Sequence, residues 1–389
     1  MNSVDRWQLP DGVEEVLPKQ AAVAEHLRRH LLDLFRSWGY QLVIPPLVEF
    51  TESLLVGLGA DLDLLTFKVT DQLSGRSLGL RADITPQVAR IDAHSLAETG
   101  VTRLCYAGSI LHTKAKTPAR SRSPIQLGAE LYGDDSPAAD LEIIHLMLAT
   151  LAQAGLSEIT LDLGHVGIYQ AVLQAAELDT GQEAMVFDAL QRKSVPDLEQ
   201  VLVAADEATR ELIIALVGLH GDASVLARAR KLFAERAPKA LVAIDALQEI
   251  ADSIHRQRPD IAIYFDLAEL RGYHYHTGMV FAAYVPGHGQ ALANGGRYND
   301  VGKVYGRARP ATGFATDLKA LMALLPHRET DEGAINMPDC EDPALLARVE
   351  ALRMAGEVVI NQLTSTVDPR CDRELVKHDG VWTVQSRTN

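Results

Sequence analysis

The residues best suited to bind a small ligand lie on one predicted strand. Gln126 and Glu130 are four positions apart within residues 124–132, a run rich in β-formers. Because side chains alternate along a strand, both are predicted to project from the same face of a sheet. A carboxylate accepts hydrogen bonds and an amide both donates and accepts them, so the pair can hold a ligand that carries N–H groups. Taken alone, Glu130 is more simply interpreted as solvated or paired with a neighbouring arginine.

Three other side chains add what this pair lacks. Asp83 and Thr85 offer acceptors for an ammonium group, just before a helix predicted to begin at Pro86. The planar guanidinium of Arg271 can bind a carboxylate with two hydrogen bonds. Structural alternatives exist, since Thr85 is also predicted as the N-cap of that helix and an isolated arginine is usually a surface cation. Considered with the strand pair, these residue types meet the requirements of a free amino acid.

The elements that position these residues follow from hydrophobic periodicity and from glycine and proline. Residues 18–38 have the apolar spacing of one helical face, and Gly39 is predicted to end that helix. Pro45 and Pro46 exclude a helix from residues 40–50, which we interpret as an extended strand. Further strands are predicted at 103–113 and 124–132 (an antiparallel hairpin), 159–163, 261–265, 277–284 and 290–294, and further helices at 141–153 and 316–325.

Other segments define the domain organisation. Residues 180–256 have helical periodicity throughout and no strand signal, which predicts an all-α insertion. Residues 295–313 are interpreted as a glycine-rich connection, and residues 327–333 as a charged linker. Residues 334–389 are predicted to form a small α/β module, below the usual size of a domain with its own core. The sequence therefore predicts a large domain over residues 1–325 and a module over 334–389.

Composition excludes several classes of protein. The chain has 389 residues, 47% of them hydrophobic, with no apolar stretch long enough to span a membrane and an acidic N-terminus unlike a signal peptide. Its three cysteines show no metal-binding spacing, which favours the cytoplasm. The net charge of -15 gives no support to nucleic-acid binding.

One basic segment stands out in this acidic chain. Residues 103–129 contain no acidic residue, and their predicted hairpin tip carries Lys114, Lys116, Arg120 and Arg122. The tip is either a solvated, mobile loop or a docking surface for an anion or a partner protein. His274 and His276 have the spacing of a strand metal site, but no third ligand accompanies them, so no metal is expected.

Several ordered motifs resemble the class II aminoacyl-tRNA synthetases, and specifically histidyl-tRNA synthetase. They are residues 39–49 (similar to motif 1), 80–87, 104–108 with 126–130 (motif 2), 270–272 with Tyr275, and 295–298 with 310–315 (the run into motif 3). The resemblance extends from about Trp7 to Leu325. It implies an α+β fold in which helices flank an antiparallel sheet. Neither a GxGxxG fingerprint nor a P-loop is present.

The resemblance implies a histidine site that lacks its ATP half. Matching positions in the family contact histidine, and here they are Asp83, Thr85, Gln126, Glu130, Arg271 and Tyr275. Glu130 is expected to accept from an imidazole N–H. The positions that serve ATP in the synthetases are instead His112, Lys114, Pro124 and Ala320, although Arg120 and Arg122 match the family. Adenylation is therefore not expected, because it needs cations fixed on the phosphates.

Such a combination resembles the regulatory subunits of ATP phosphoribosyltransferase, which are inactive paralogues of the synthetase. The resemblance implies a short catalytic subunit as partner, L-histidine as feedback effector, no cofactor, and a homodimer within a larger hetero-oligomer. The homodimer is expected to form through the motif 1-like strand, residues 40–50. An active ligase and a sensor of uncharged tRNA are the alternatives.

Overall fold

The computed structural model describes residues 7–55, 60–115, 121–176, 178–270, 272–273, 275–325 and 333–387. The chain divides into two compact units, Met1–Leu325 and Pro326–Asn389, each with its own sheet. No described helix is both long and apolar enough to cross a membrane. The predicted linker, residues 327–333, lies outside the described residues except for Gly333.

A nine-stranded sheet forms the centre of the first unit. In spatial order its strands are β1 (Gln41–Leu42), β5 (Thr102–Ser109), β6 (Ile125–Tyr132), β12 (Ala311–Asp317), β11 (Ala293–Arg297), β10 (Met279–Tyr284), β7 (Thr160–His165), β9 (Ala262–Asp266) and β8 (His220–Gly221). Only the pairs β1–β5 and β7–β9 are parallel. The predicted antiparallel sheet is confirmed, and so is the hairpin, whose strands β5 and β6 pair along their full lengths.

Helices pack against this sheet and close the main core. They include α1 (Pro18–Ser37), α5 (Pro137–Gln153), α6 (Val166–Ala176) and α12 (Leu318–Leu324). In α1 the apolar stripe buries Leu31 and Phe35, and the Phe35 ring meets Phe314 edge to face at 5.9 Å. As predicted, Gly39 follows the end of this helix, with a φ of 84° that favours glycine.

The extended segment 40–50 is divided between two sheets, so its interpretation as one strand is wrong. Its first part is β1, and its second part joins a three-stranded sheet. That sheet contains β2 (Val48–Phe50), β4 (Ser77–Leu80) and β3 (Phe67–Thr70), in this order, and two short helices, α2 (Thr51–Leu54) and α3 (Ala60–Leu65), lie between β2 and β3. Pro45 and Pro46 separate β1 from β2, because proline lacks the N–H that a strand ladder requires.

Residues 180–256 are helical as predicted, with one exception. Their helices are α7 (Thr180–Gln191), α8 (Val195–Val201), α9 (Glu207–Val217), α10 (Ser224–Phe233) and α11 (Ala240–Gln257). The exception is β8, which pairs with β9, so the prediction of a segment without a strand is wrong. A strand of two residues is too short to produce an alternating pattern.

The glycine-rich segment 295–313 is not only a connection, as predicted, because parts of two strands lie in it. β11 and β12 are antiparallel neighbours, and a 3₁₀-helix, Val301–Tyr305, lies in the chain between them. A Cβ on Gly295 would overlap the carbonyl oxygen of Gly313. Glycine is therefore required here by close approach of the strands, although its low strand propensity hides them in the sequence.

The second unit has a hydrophobic core of its own, contrary to the expectation from its length. Its sheet has the order β14 (Val359–Asn361), β13 (Ala334–Met337), β15 (Cys371–His378) and β16 (Val381–Ser386), and α13 (Pro343–Met354) packs on it. Ile335 and Leu345 are fully buried in this core, and Val349 is 2% exposed. A single helix on one sheet is thus enough to exclude water from the unit.

Candidate functional site

Glu130 lies in the middle of the large sheet, on β6 between β5 and β12. It is only 1% exposed, and it stands opposite Leu104 on one side and Gly313 on the other. A Cβ on Gly313 would overlap Oε2 of Glu130, and one on Gly128 would approach the Tyr106 hydroxyl to 2.5 Å. These glycines therefore leave the space that the carboxyl and the tyrosine occupy.

Both oxygens of the Glu130 carboxyl accept hydrogen bonds from tyrosines. The Tyr106 hydroxyl donates to Oε1 at 3.1 Å, and the Tyr298 hydroxyl donates to Oε2 at 2.5 Å. The Tyr132 hydroxyl lies 3.2 Å from that of Tyr298. Burial raises the pKa of Glu130 to about 8; the Tyr298 hydrogen bond opposes this rise and the negative charge of Asp83 adds to it. Burial therefore favours the protonated form of this carboxyl.

Asp83, Thr85 and Gln126 form the adjoining part of the cluster. Gln126 donates from Nε2 to Asp83 Oδ1 at 2.8 Å and accepts from the Ile84 N–H at 2.8 Å. Asp83 Oδ1 also accepts from the Thr85 N–H at 3.0 Å. The amide of Gln126 thus ties β6 to the loop that carries Asp83, and it orients the carboxylate toward the same region as Glu130.

The predicted N-cap role of Thr85 is wrong. Thr85 is the first residue of α4 (Thr85–Arg90), and its side chain makes no capping hydrogen bond. Its hydroxyl lies instead 3.1 Å from the Tyr106 hydroxyl, which links it to Glu130. The carboxylate of Asp83 accepts from the N–H at the helix start, so the threonine side chain is available to the site.

Tyr106, Tyr132 and Tyr298 are site residues that the sequence reasoning missed. The ring of Tyr298 also stacks on Tyr275, with 4.9 Å between centroids. The Tyr275 hydroxyl is buried and has no hydrogen-bond partner among the described residues. The sequence does indicate the position of Tyr132: it follows Glu130 by two residues, and the alternation of side chains along a strand places both on the same face.

The structure brings together five of the six predicted histidine-binding residues, namely Asp83, Thr85, Gln126, Glu130 and Tyr275. The remaining residue, Arg271, lies outside the described residues, as do Lys116, Arg120 and His274. Their roles therefore stay predictions, and so does the expected absence of a metal at the histidine pair.

Arg122 is not part of a solvated hairpin tip. Its Nε donates to the carbonyl of His112 at 3.0 Å, and its Nη1 donates to the carbonyl of Asp11 at 2.8 Å. Nearby, Lys319 forms an ion pair with Glu14 at 3.2 Å. The Arg122 guanidinium thus fastens the N-terminal segment to the end of the hairpin, whereas Lys114 is exposed.

The positions that the resemblance assigns to ATP binding have a different chemistry here. His112 is buried, and its Nε2 lies 2.9 Å from the carbonyl oxygen of Ala82. Ala320 lies in α12 and packs against the main core. Pro124 is buried, and its carbonyl accepts from Ile110 at the end of the hairpin. Neither His112 nor Ala320 offers the guanidinium that binds phosphate with two hydrogen bonds.

A separate surface cleft of about 490 Å³ lies beside the three-stranded sheet. Among the residues that line it, Lys68 pairs with Asp63 at 2.7 Å and Arg76 pairs with Glu52. These charges neutralise each other within the cleft. The cluster around Glu130, where two carboxylates and an unpartnered hydroxyl converge, is therefore the better candidate for a ligand site.

The fold is of the class II synthetase type. The family model described as histidyl-tRNA synthetase matches residues 12–321. A solved histidyl-tRNA synthetase from Nostoc sp. PCC 7120 has the same fold, with a TM-score of 0.77 at 18% identity over 95% of this chain and 91% of that chain. A solved ATP phosphoribosyltransferase regulatory subunit/histidyl-tRNA synthetase from Bacillus halodurans has a TM-score of 0.83 at 27% identity, over 95% and 96% of the two chains.

The second unit and the full-length relatives define the family within this class. Residues 332–385 match the model described as ATP phosphoribosyltransferase subunit HisZ C-terminal domain. ATP phosphoribosyltransferase regulatory subunits from Pseudomonas entomophila and Stutzerimonas stutzeri are each 52% identical to this chain, and the matches cover 100% and 99% of both sequences, respectively. The chain belongs to the family of ATP phosphoribosyltransferase regulatory subunits. The resemblance predicted from the motifs is confirmed.

Proposed function

We propose that the chain is the regulatory subunit of an ATP phosphoribosyltransferase and acts in the first step of histidine biosynthesis. In this role it activates a short catalytic subunit and confers feedback inhibition by L-histidine. The observation that carries the proposal is the match to regulatory subunits over the whole chain at 52% identity. The proposal includes two domains, residues 1–325 and 334–389, and the division of the chain into two compact units supports it.

The effector site is the cluster around Glu130. Asp83 and Thr85 accept from the α-ammonium group of histidine, and Gln126 holds Asp83 in place and reaches the main-chain groups. Glu130 binds one nitrogen of the imidazole ring, and the buried hydroxyl of Tyr275 is available to the other. Arg271 is the proposed partner of the ligand carboxylate. All the polar groups of a free amino acid then have a partner.

In this proposal the chain has no catalysis of its own. Forming an adenylate requires fixed cations on the ATP phosphates. His112 is tied to a backbone carbonyl and Ala320 packs in the core, which supports the loss of that step. Lys114, Lys116, Arg120 and Arg122 are proposed as an anion or partner docking surface.

The proposed assembly is a cytoplasmic homodimer within a larger hetero-oligomer. Residues 40–50 support a homodimer interface, because Ile44 is 84% exposed and Leu42, Leu47 and Val48 are also exposed on the same segment. Neither a cofactor nor nucleic acid nor a membrane is part of the proposal. The net charge of -15 is consistent with a protein that does not bind nucleic acid.

Reconstitution with a short catalytic subunit tests the proposal. We expect the chain to raise phosphoribosyltransferase activity and to make that activity sensitive to histidine. Glu130→Ala should raise the histidine concentration for half-inhibition by about tenfold, because it leaves a buried ring nitrogen without its partner, which costs ~1–3 kcal/mol. Activation should survive, as it should in the exposed control Glu158→Ala. A chain that neither activates nor confers inhibition would contradict the proposal.

Two alternatives follow from the match of residues 12–321 to the synthetase model: an active ligase and a sensor of uncharged tRNA. Histidine-dependent ATP–pyrophosphate exchange distinguishes the first, and a gel shift with tRNA at defined salt distinguishes the second. We expect neither activity above background. Exchange by the wild-type chain would favour the ligase.

A further inference from the structure

The polar groups that face Glu130 come from each element around it, and they contain little positive charge. They are Asp83 and Thr85 at the start of α4, Tyr106 on β5, Tyr132 on β6, Tyr298 after β11 and the nearby Tyr275. β12 contributes only Gly313 at this point. Within the described part of the chain, no lysine or arginine forms an ion pair with Glu130, and its hydrogen bonds come from hydroxyls.

A neutral imidazole on an ionised Glu130 would leave a buried negative charge next to a second carboxylate. Such a charge is costly unless it is paired. If one proton lies between the carboxyl and the ring, the pair has no net charge, either as neutral acid and base or as carboxylate and imidazolium. The hydroxyls of Tyr106 and Tyr298 already donate to the two oxygens, so they stabilise the carboxylate form as well.

We propose that the Glu130 carboxyl and the ring of bound histidine share a single proton, so that the pocket selects its ligand by the basicity of the ring as well as by its shape. This inference rests on the proposed function. The proton is the one that Glu130 holds before binding. It moves from the carboxyl oxygen toward the ring nitrogen, and no proton enters from or leaves to water at neutral pH.

Sharing one proton between Glu130 and the ring determines how the affinity for histidine depends on pH. The pKa of Glu130 is about 8, and that of a free imidazole is about 6.5. Between these values the free partners hold one proton in total, as the complex does, so affinity is constant. Above about pH 8 the free carboxyl has lost its proton, so the Glu130–ring pair takes one up on binding, and this pair alone makes affinity fall by up to about tenfold per pH unit. The α-amino group of free histidine also deprotonates at alkaline pH and adds a separate uptake. Below about pH 6.5 the free partners hold two, so binding releases one and affinity falls again.

Titration calorimetry tests this with the full chain and with its complex with the catalytic subunit. L-histidine is titrated at pH 7.2 in phosphate and in Tris, whose ionisation heats differ, and the difference in heat counts the protons exchanged. We expect a count near zero at pH 7.2. At pH 9 we expect nearly one proton taken up beyond the fraction that the α-amino group of free histidine regains on binding. Release of nearly one proton at pH 7.2 would overturn the proposal, because Glu130 would then be ionised against a neutral ring.

A ligand of similar shape and lower basicity provides an independent test. β-(1,2,4-Triazol-3-yl)alanine should bind at least about tenfold more weakly than histidine at pH 7.2, and equal affinity would count against proton sharing. Glu130→Gln keeps the shape of the side chain and should lower the proton uptake at pH 9 by nearly one, because only the uptake by the α-amino group of histidine remains. The calorimetric count on the wild-type protein decides the question even where this variant does not fold. Absence of any histidine binding, to the chain or to the complex, would contradict the proposed function itself, whereas binding with a released proton contradicts only the sharing.

Discussion

Replacing Gly313 with alanine tests whether the space beside Glu130 is required by the site. Gly313 lies directly opposite Glu130 in the sheet, and an added Cβ overlaps the carboxyl oxygen Oε2. The carboxyl is buried and accepts from Tyr106 and Tyr298, so it cannot move away without losing a hydrogen bond. Overpacking costs ~1–3 kcal/mol and a lost hydrogen bond ~0.5–1.5 kcal/mol. We therefore expect Gly313→Ala to lower the free energy of unfolding by about 2–4 kcal/mol.

Urea unfolding followed by circular dichroism measures this loss, and calorimetry measures histidine affinity. The matched control is Gly289→Ala, since a Cβ there meets no atom within 4 Å. We expect the control to change stability by less than about 0.5 kcal/mol. Gly313→Ala should also weaken histidine binding at least about tenfold, because the displaced carboxyl no longer meets the ring. If the two variants unfold at the same urea concentration and bind histidine alike, Glu130 does not lie against Gly313 as described.

Three further predictions concern charge. Burial raises the pKa of Glu130 from 4.5 to about 8, so between these pH values the folded chain holds a proton that the unfolded chain lacks. The free energy of unfolding should therefore fall as the pH rises through this range. The difference between the urea midpoints at pH 5 and pH 8 should be smaller in Glu130→Gln than in the wild-type protein. Asp140→Ala should lower the free energy of unfolding in urea by ~3–5 kcal/mol, because it leaves the charge of its buried partner Arg297, 3.0 Å away, uncompensated. Asp179→Ala should lower the free energy of unfolding by ~1 kcal/mol, because it removes the capping box formed with Gln182 at the start of α7. An unchanged urea midpoint in the Asp140 or the Asp179 variant would contradict the prediction for that variant.

Local patterns were enough to predict most of the large sheet and its helices. The hairpin of β5 and β6 followed from two runs of β-formers, and α1 from an apolar stripe that ends before Gly39. β12 was missed because its glycines are selected by contacts with other strands. Gly313 leaves room for Glu130, a residue far away in the sequence, and no local window contains that information. Residues 40–50 are likewise divided between two sheets by pairing with strands that are distant in the sequence, β5 and β4.

The site was predictable to the extent that it depends on one strand. Alternation along β6 placed Gln126 and Glu130 together, and the family motif added Asp83 and Thr85. The two hydroxyls that donate to Glu130 come from outside β6: Tyr106 lies on β5, and Tyr298 follows β11, 168 residues from Glu130 in the sequence. Tyr298 meets Glu130 because β12 and β11 lie beside β6 in the sheet. A threonine before a proline is usually a cap, but here the helix begins at Thr85 itself, and the Asp83 carboxylate accepts from the Thr85 N–H.

The cluster around Glu130 and the neighbouring region of His112 and Arg122 differ in a way that supports the proposed binding without a reaction. At one end, a buried carboxyl lowers the stability of the fold, and glycines and hydroxyls accommodate it, although an apolar side chain would pack more favourably. Destabilising polar groups of this kind are typical of sites that bind a ligand. At the other end, His112 and Arg122 make hydrogen bonds to backbone carbonyls, which uses donors that a phosphate would need. Under the proposed function, Glu130 serves to bind histidine while the neighbouring cation is held by backbone carbonyls, and the calorimetric proton count tests that proposal at Glu130.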